Sequence, residues 1–185
     1  MHNDNQETLY NQDTLYYDLQ DYKRRVSSLK KHILPDVANV TNGRVSLQTL
    51  INAESSLDIG MGTGAYAQAM RELSSNGRFV GVDLRKYPGQ NGYTQYEDLI
   101  IGDIRNPEIL TSVNQYSFNC VLGISPDLKV LEFVANNRVK FNMLPGGLIV
   151  FITEHDIAHD LYRDFDVFRG TIPLIDKSIL VSKIK

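Results

Sequence analysis

The chain has 185 residues, 42% of them hydrophobic, and a formal net charge of −3. This is enough to bury a sizeable core in one compact domain, and the mild acidity excludes a surface that is basic overall while leaving room for a local basic patch. A single cysteine excludes an intrachain disulfide, and no apolar run is long enough to span a bilayer, so the expectation is a soluble, cytoplasmic protein.

Residues 1–13 are polar and read as a frayed start. Leu15, Leu19, Tyr22, Val26, Leu29 and Ile33 then recur at helical spacing, which predicts one apolar stripe on a helix that Pro35 stops. Tyr22, on the stripe, is expected in the core. The other faces carry Lys23, Arg24, Arg25, Lys30, Lys31 and His32. That cluster reads either as a solvated face with cations near a helix C-terminus or as a phosphate-contacting ridge, and so a possible RNA contact. A second short helix is predicted over 47–52 with Ser46 as N-cap. Residues 1–53 thus form an N-terminal helical segment that packs on or lids a single compact unit over 54–185.

Residues 56–66 read S-L-D-I-G-M-G-T-G-A-Y. An apolar strand carrying Asp58 near its end runs into Gly60, Gly62 and Gly64, a turn in which missing side chains let a ligand approach the main chain. A helix is predicted over 65–73. With Ala65 as its last small residue the run also satisfies the relaxed dinucleotide fingerprint, so the turn alone does not choose its nucleotide. The next strand, 78–82, ends in Asp83, about twenty residues beyond the glycines, where a carboxylate can accept from both ribose hydroxyls. A third strand, 99–102, ends in Asp103, which could accept from the amine of adenine. Between them L-R-K-Y-P-G-Q-N-G-Y-T-Q-Y is a poor helix and predicts a loop near the adenosine end of the pocket.

Further along, a helix is predicted over 107–113 with Asn106 as N-cap, a fourth strand over 118–122 with Cys120 as a small buried side chain, and a helix over 126–138. N-M-L-P-G-G-L-I-V-F-I-T at 142–153 is read as a turn and fifth strand. Strands over 166–169 and 178–184 close the chain as a pair antiparallel to the rest. The alternation from the glycine turn onward implies an α/β, Rossmann-like, mostly parallel sheet with helices on both faces.

The succession D-x-G-x-G-x-G, V-D-L and G-D-I, with the L-P-G-G turn before the fifth strand, resembles the class I S-adenosylmethionine-dependent methyltransferases over roughly 56–185. The resemblance implies S-adenosyl-L-methionine as cofactor, held by Asp58, Gly60, Met61, Gly62, Thr63 and Gly64 at the glycine turn, Asp83 and Leu84 at the ribose, Asp103 and Ile104 at the adenine, and Gly123 and Ile124 after the fourth strand. It also implies that N-terminal helices cover the cofactor or the acceptor, which makes Tyr16, Tyr17 and Tyr22 candidate lid contacts. A nicotinamide-dependent oxidoreductase is disfavoured because too little chain follows Asp103 for the second half of a dinucleotide fold.

Methyl transfer asks the protein mainly to align an acceptor and accommodate its proton. Candidates for that work are Ser125 and Asp127 in G-I-S-P-D, and Glu154 and His155 after the fifth strand. Asp127 is as well read as the start of the next helix. The short loop after Asp83 and the I-T-E-H segment also resemble RNA ribose 2′-O-methyltransferases, but the tetrad's lysine and acid fall on Phe151 and Ile124. The expected function is therefore methyl transfer to a small-molecule or protein acceptor. The alternatives are an RNA methyltransferase with an incomplete Lys-Asp-Lys-Glu tetrad and a cofactor-binding protein without transfer activity. His155 and His159, flanked by Glu154, Asp156 and Asp160, have the spacing of a helical zinc pair but lack a third ligand, and Thr153 with Asp156 explains the acids as a helix start, so no metal is expected.

Overall fold

The computed structural model describes residues 19–86, 91–154, 165–171 and 176–184. Its N-terminal part is a nearly continuous helix: α1 (Leu19–Ser28), a π-type turn (Leu29–Ile33) and α2 (Leu34–Val40), followed by the short α3 (Leu47–Ile51). The expectation that Pro35 stops the first helix is not met. Proline lacks only its own amide, and here it sits in the first turn of α2 directly after the wide turn, so the helix forgoes one hydrogen bond rather than ending. The wide turn just before it carries the chain through, with the Leu34 amide donating to the carbonyl of Leu29.

Ser46 caps α3 as expected, its hydroxyl accepting from the Thr49 amide at 2.9 Å. Ser46→Ala is expected to cost about 1 kcal/mol, read as a lowered urea midpoint; an unchanged midpoint would mean that the cap contributes nothing here.

The rest alternates strand and helix: β1 (Ser55–Ile59), α4 (Ala65–Glu72), β2 (Arg78–Asp83), a 3-10 turn (Asn91–Gln95), β3 (Asp98–Ile101), α5 (Pro107–Val113), β4 (Phe118–Ile124), α6 (Leu128–Asn137), β5 (Met143–Thr153), β6 (Asp166–Thr171) and β7 (Asp176–Lys183). The sheet order is β3-β2-β1-β4-β5-β7-β6, with the first five strands parallel and β7 antiparallel to both β5 and β6. The closing antiparallel pair is therefore present, but only β7 opposes the rest of the sheet: β6, antiparallel to β7, runs in the direction of β1–β5, and the last strand lies inside the sheet rather than at its edge. The L-P-G-G run is a bulge within β5: pairing with β4 jumps from Phe118↔Met143 to Cys120↔Leu148, and Gly146, at φ 79°, takes the bend.

Period-two alternation divides the core into two layers. Cys120, Leu122, Leu148, Val150, Ile152, Ile179 and Val181 face the N-terminal helices and α4, where Tyr22, Val26, Leu34, Val37 and Met70 meet them. Val121, Ile149, Phe151 and Leu180 face the opposite way, toward Val113 of α5 and Leu131 and Val134 of α6. Tyr22 is in the core as expected, while Tyr16 and Tyr17 lie outside the described residues. Burial and the charge of Glu72 push the Tyr22 hydroxyl up to about 12, and burial pushes the Cys120 thiol up to about 12, so this cysteine is an inert core residue.

Among the described residues no helix is long and apolar enough to cross a membrane. The basic helix face is partly neutralised within the protein. Asp21 takes Arg24 and, at 2.7 Å, Arg25, and Lys30 reaches across to Glu72 on α4. Arg25 holds the Asp21 carboxyl below its usual range, and Lys30 does the same to Glu72.

Candidate functional site

The parallel strands end along one rim, and the sheet order reverses direction between β1 and β4, the position where open α/β sheets leave a crevice. A cavity of about 520 Å³ opens there. Its floor is the glycine turn, one wall is the ends of β2 and β3 with Asp83, Leu84, Asp103 and Ile104, and another is Ile124 to Asp127 with Val130 of α6. Arg25, Ser28, Leu29 and Ile33 of the N-terminal helix complete the lining.

The turn is shaped by backbone that leaves β1 and is pinned to β2. The Gly60 amide donates to the Val82 carbonyl at 2.8 Å, and the Gly64 amide to that of Met61 at 2.8 Å. Gly62 and Gly64 have φ of 53° and 76°, left-handed values that favour glycine. Asp83 reaches back from β2 and its Oδ2 accepts from the Gly62 amide at 2.8 Å. Turn and acid are thus one hydrogen-bonded unit.

Every residue expected to hold the cofactor lines this cavity except Gly64 and Gly123. Those two lie behind its wall and are glycine for packing reasons. A Cβ on Gly64 would stand 2.8 Å from the carbonyl carbon of Gly92, and one on Gly123 would stand 2.5 Å from the Phe151 ring. Asp103 is at the rim, but Arg105 clasps its carboxylate, Nε at 2.9 and 3.0 Å and Nη2 at 2.6 Å, which holds it below the usual carboxylate range. Among the candidates for acceptor chemistry, Ser125 and Asp127 line the cavity. Ser125 has φ 52°, an uncommon conformation for a residue with a side chain, and its amide donates to the Ile152 carbonyl at 2.7 Å. Asp127 caps α6 by accepting from the Lys129 amide at 2.8 Å, as its second reading had it. Glu154 is exposed, and His155, Asp156, His159 and Asp160 lie outside the described residues.

Asp58 is the unusual group. It is 3% exposed and lines the cavity, and among the described residues no lysine or arginine pairs with it. Its carboxylate takes the hydroxyl of Tyr96. Burial pushes Asp58 up to about 7; the Tyr96 bond opposes that rise and the neighbouring charge of Asp83 adds to it.

Tyr96 comes from the connection between β2 and β3, whose described residues form no α-helix. Its described part does more than flank an adenosine site. The 3-10 turn packs beneath the glycine turn, and the Tyr93 hydroxyl donates to the Gly62 carbonyl at 2.7 Å. The run of tyrosines was the only sequence signal of this support, and it carried no direction.

No family model matches the sequence, and no curated protein does either. Solved structures do. The 1,6-didemethyltoxoflavin-N1-methyltransferase of Burkholderia thailandensis, determined with 1,6-didemethyltoxoflavin and S-adenosylhomocysteine bound, is 13% identical with a TM-score of 0.57, covering 100% of this chain and 92% of that one. An O-methyltransferase family protein from the same organism is 12% identical with a TM-score of 0.56, covering 97% of this chain. The chain spans 63% of that protein's length. The chain has the fold of the class I methyltransferases. At these identities the likeness is one of fold.

Proposed function

We propose that the chain is an S-adenosylmethionine-dependent methyltransferase acting on a small-molecule or protein acceptor. The observation that carries this reading is the buried Asp58 carboxylate, which has no cationic partner among the described residues, facing a cavity whose floor is the glycine turn. A buried carboxylate is costly unless a cation compensates it, and the cofactor's amino-acid end offers one. Asp83, oriented by the Gly62 amide, would accept from ribose hydroxyls, with the exposed Leu84 beside it. Gly60, Met61, Gly62 and Thr63 would hold the glycine-loop side, and Asp103 and Ile104 the adenine side, of the ligand.

When bound, the cofactor supplies a methyl group on a sulfonium, an already activated leaving group. The protein's part is then to align the acceptor and exclude water. Ser28, Leu29 and Ile33 on one side and Ser125, Pro126 and Val130 on the other form the mixed apolar and hydroxyl-bearing walls available for that alignment. A 2′-O-type tetrad has no support here. Phe151 is fully buried in the core layer facing α5 and α6 and is not among the residues lining the cavity, and Ile124 brings no ionisable group. Arg24, Arg25 and Lys30 are engaged by Asp21 and Glu72, while Lys23, Lys31 and His32 are exposed, so the RNA alternative is left to the experiment below.

Titration calorimetry with S-adenosylmethionine and S-adenosylhomocysteine tests the cofactor assignment. Asp83→Ala is expected to weaken both by about 10- to 100-fold, the loss of charge-assisted hydrogen bonds. Absence of binding by the parent, or an Asp83→Ala variant that binds like it, would sink the assignment. Transfer of labelled methyl to cell-extract fractions, with and without nuclease, then separates small-molecule or protein acceptors from RNA.

A further inference from the structure

Three features meet beneath the glycine turn. Tyr96 spends its hydroxyl on the buried Asp58 carboxylate, Tyr93 spends its own on the Gly62 carbonyl, and the backbone of Gly92 lies against that of Gly64 and Thr63, closely enough that a Cβ on Gly92 would stand 2.6 Å from each carbonyl oxygen. The tyrosine ring of Tyr96 also fills the space above Gly81, where a Cβ would stand 3.0 Å from it and 2.3 Å from the Met61 sulfur. The 3-10 turn thus brings one hydroxyl to one buried acid.

We propose that Tyr96 is a positioning residue for the cationic end of the cofactor: it presents the Asp58 carboxylate to the cavity in a fixed orientation, so that capture of the ligand's ammonium depends on that hydrogen bond. The inference rests on the reading of the cavity as an S-adenosylmethionine site. Tyr96 reaches the ligand only through Asp58.

The groups facing Asp58 make its ionisation the step that matters. Tyr66 from α4 and Cys120 from β4 are both raised by burial and stay neutral. Tyr96 is raised well above its ordinary value by burial and by Asp58 itself. Asp83 at the end of β2 is the neighbouring charge of the same sign. Arg25 on α1 lines the cavity but is engaged by Asp21. With Asp58 poised near about 7, an ammonium entering beside it favours the ionised form, so capture tightens as pH rises to that value and levels off above it.

The experiment compares two probes across pH. S-adenosylhomocysteine carries the ammonium; 5′-methylthioadenosine carries the adenosine half without it. For the parent, S-adenosylhomocysteine affinity is expected to fall about tenfold per pH unit below the midpoint, while methylthioadenosine affinity stays level. Tyr96→Phe removes a bond that favours the charged carboxylate, so the midpoint should move up by about one pH unit with methylthioadenosine binding unchanged. Asp58→Asn should abolish the pH dependence. A Tyr96→Phe midpoint equal to that of the parent would overturn the proposal and leave the cofactor reading standing. Equal weakening of both probes would also overturn it, because it would make Tyr96 a structural support only. Binding of neither probe by the parent would remove the cofactor reading and the proposal together.

Discussion

Asparagine in place of Asp58 is expected to make the ligand-free protein more stable at about pH 8 and to deprive it of most of its affinity for S-adenosylhomocysteine. The folded protein holds Asp58 up to about 7, against an ordinary value of 3.8. Folded chains therefore bind a proton that unfolded chains have released throughout that window, and stability rises as pH falls from 7 toward 4. Above about 7 the buried group is ionised and the full penalty is present, on the order of a few kcal/mol for a group so deeply enclosed.

The amide removes the penalty while still accepting from Tyr96 through its oxygen. Its own N–H groups then need an acceptor, and one left unpaired returns about 1–3 kcal/mol. The expected net gain is about 1–2 kcal/mol at about pH 8, with the stability slope between pH 4 and 7 flattened. Urea unfolding at several pH values reads both effects. A variant less stable than the parent at pH 8 would show that Asp58 is comfortably ionised without a ligand. The same substitution removes the charge that a bound ammonium requires, so stability and affinity should move in opposite directions.

The second large effect is expected from Gly92→Val. Glycine is required there because main chain meets main chain. The atoms facing an added Cβ are the carbonyl oxygens of Gly64 and Thr63, both at 2.6 Å, and the Gly64 carbonyl carbon at 2.7 Å. None can swing aside as a flexible side chain would. Gly64, itself at φ 76° and the cap of α4, cannot retreat without disturbing that helix start. Overpacking of this kind should cost about 2–3 kcal/mol and should separate Tyr93 and Tyr96 from their acceptors, so ligand affinity falls with stability. An unchanged denaturation midpoint would mean that the turn relaxes freely and that the close approach is not needed.

Most of the fold was written locally in the chain. The run S-L-D-I before three glycines, the acids ending β2 and β3, and the caps Ser46, Asn106 and Asp127 declare themselves through turn chemistry and period-two burial, which need no knowledge of distant neighbours. So do the closing strands. The features hidden from a sequence reading depend on partners far along the chain. Nothing near Asp58 says that a tyrosine 38 positions later will meet it, or that Gly92 is glycine because of Gly64. Asp103 looked free for a ligand, although Arg105, two residues on, could have been read as its partner. Pro35 misled because a proline marks a stop only if the preceding turn keeps ordinary helical spacing, and here it widens.

That widened turn lets one stretch of helix serve two neighbours at once. A π-type turn inserts one residue relative to an α-turn, which rotates the downstream half by roughly 100° relative to an unbroken helix. Leu29 and Ile33, inside the turn, border the cavity, while Leu34 and Val37 just beyond it are fully buried in the core. The extra residue thus works as a phase shifter: the half bearing Arg25 and Ser28 can be aimed at the cavity mouth while the half bearing Leu34 and Val37 is anchored to the sheet.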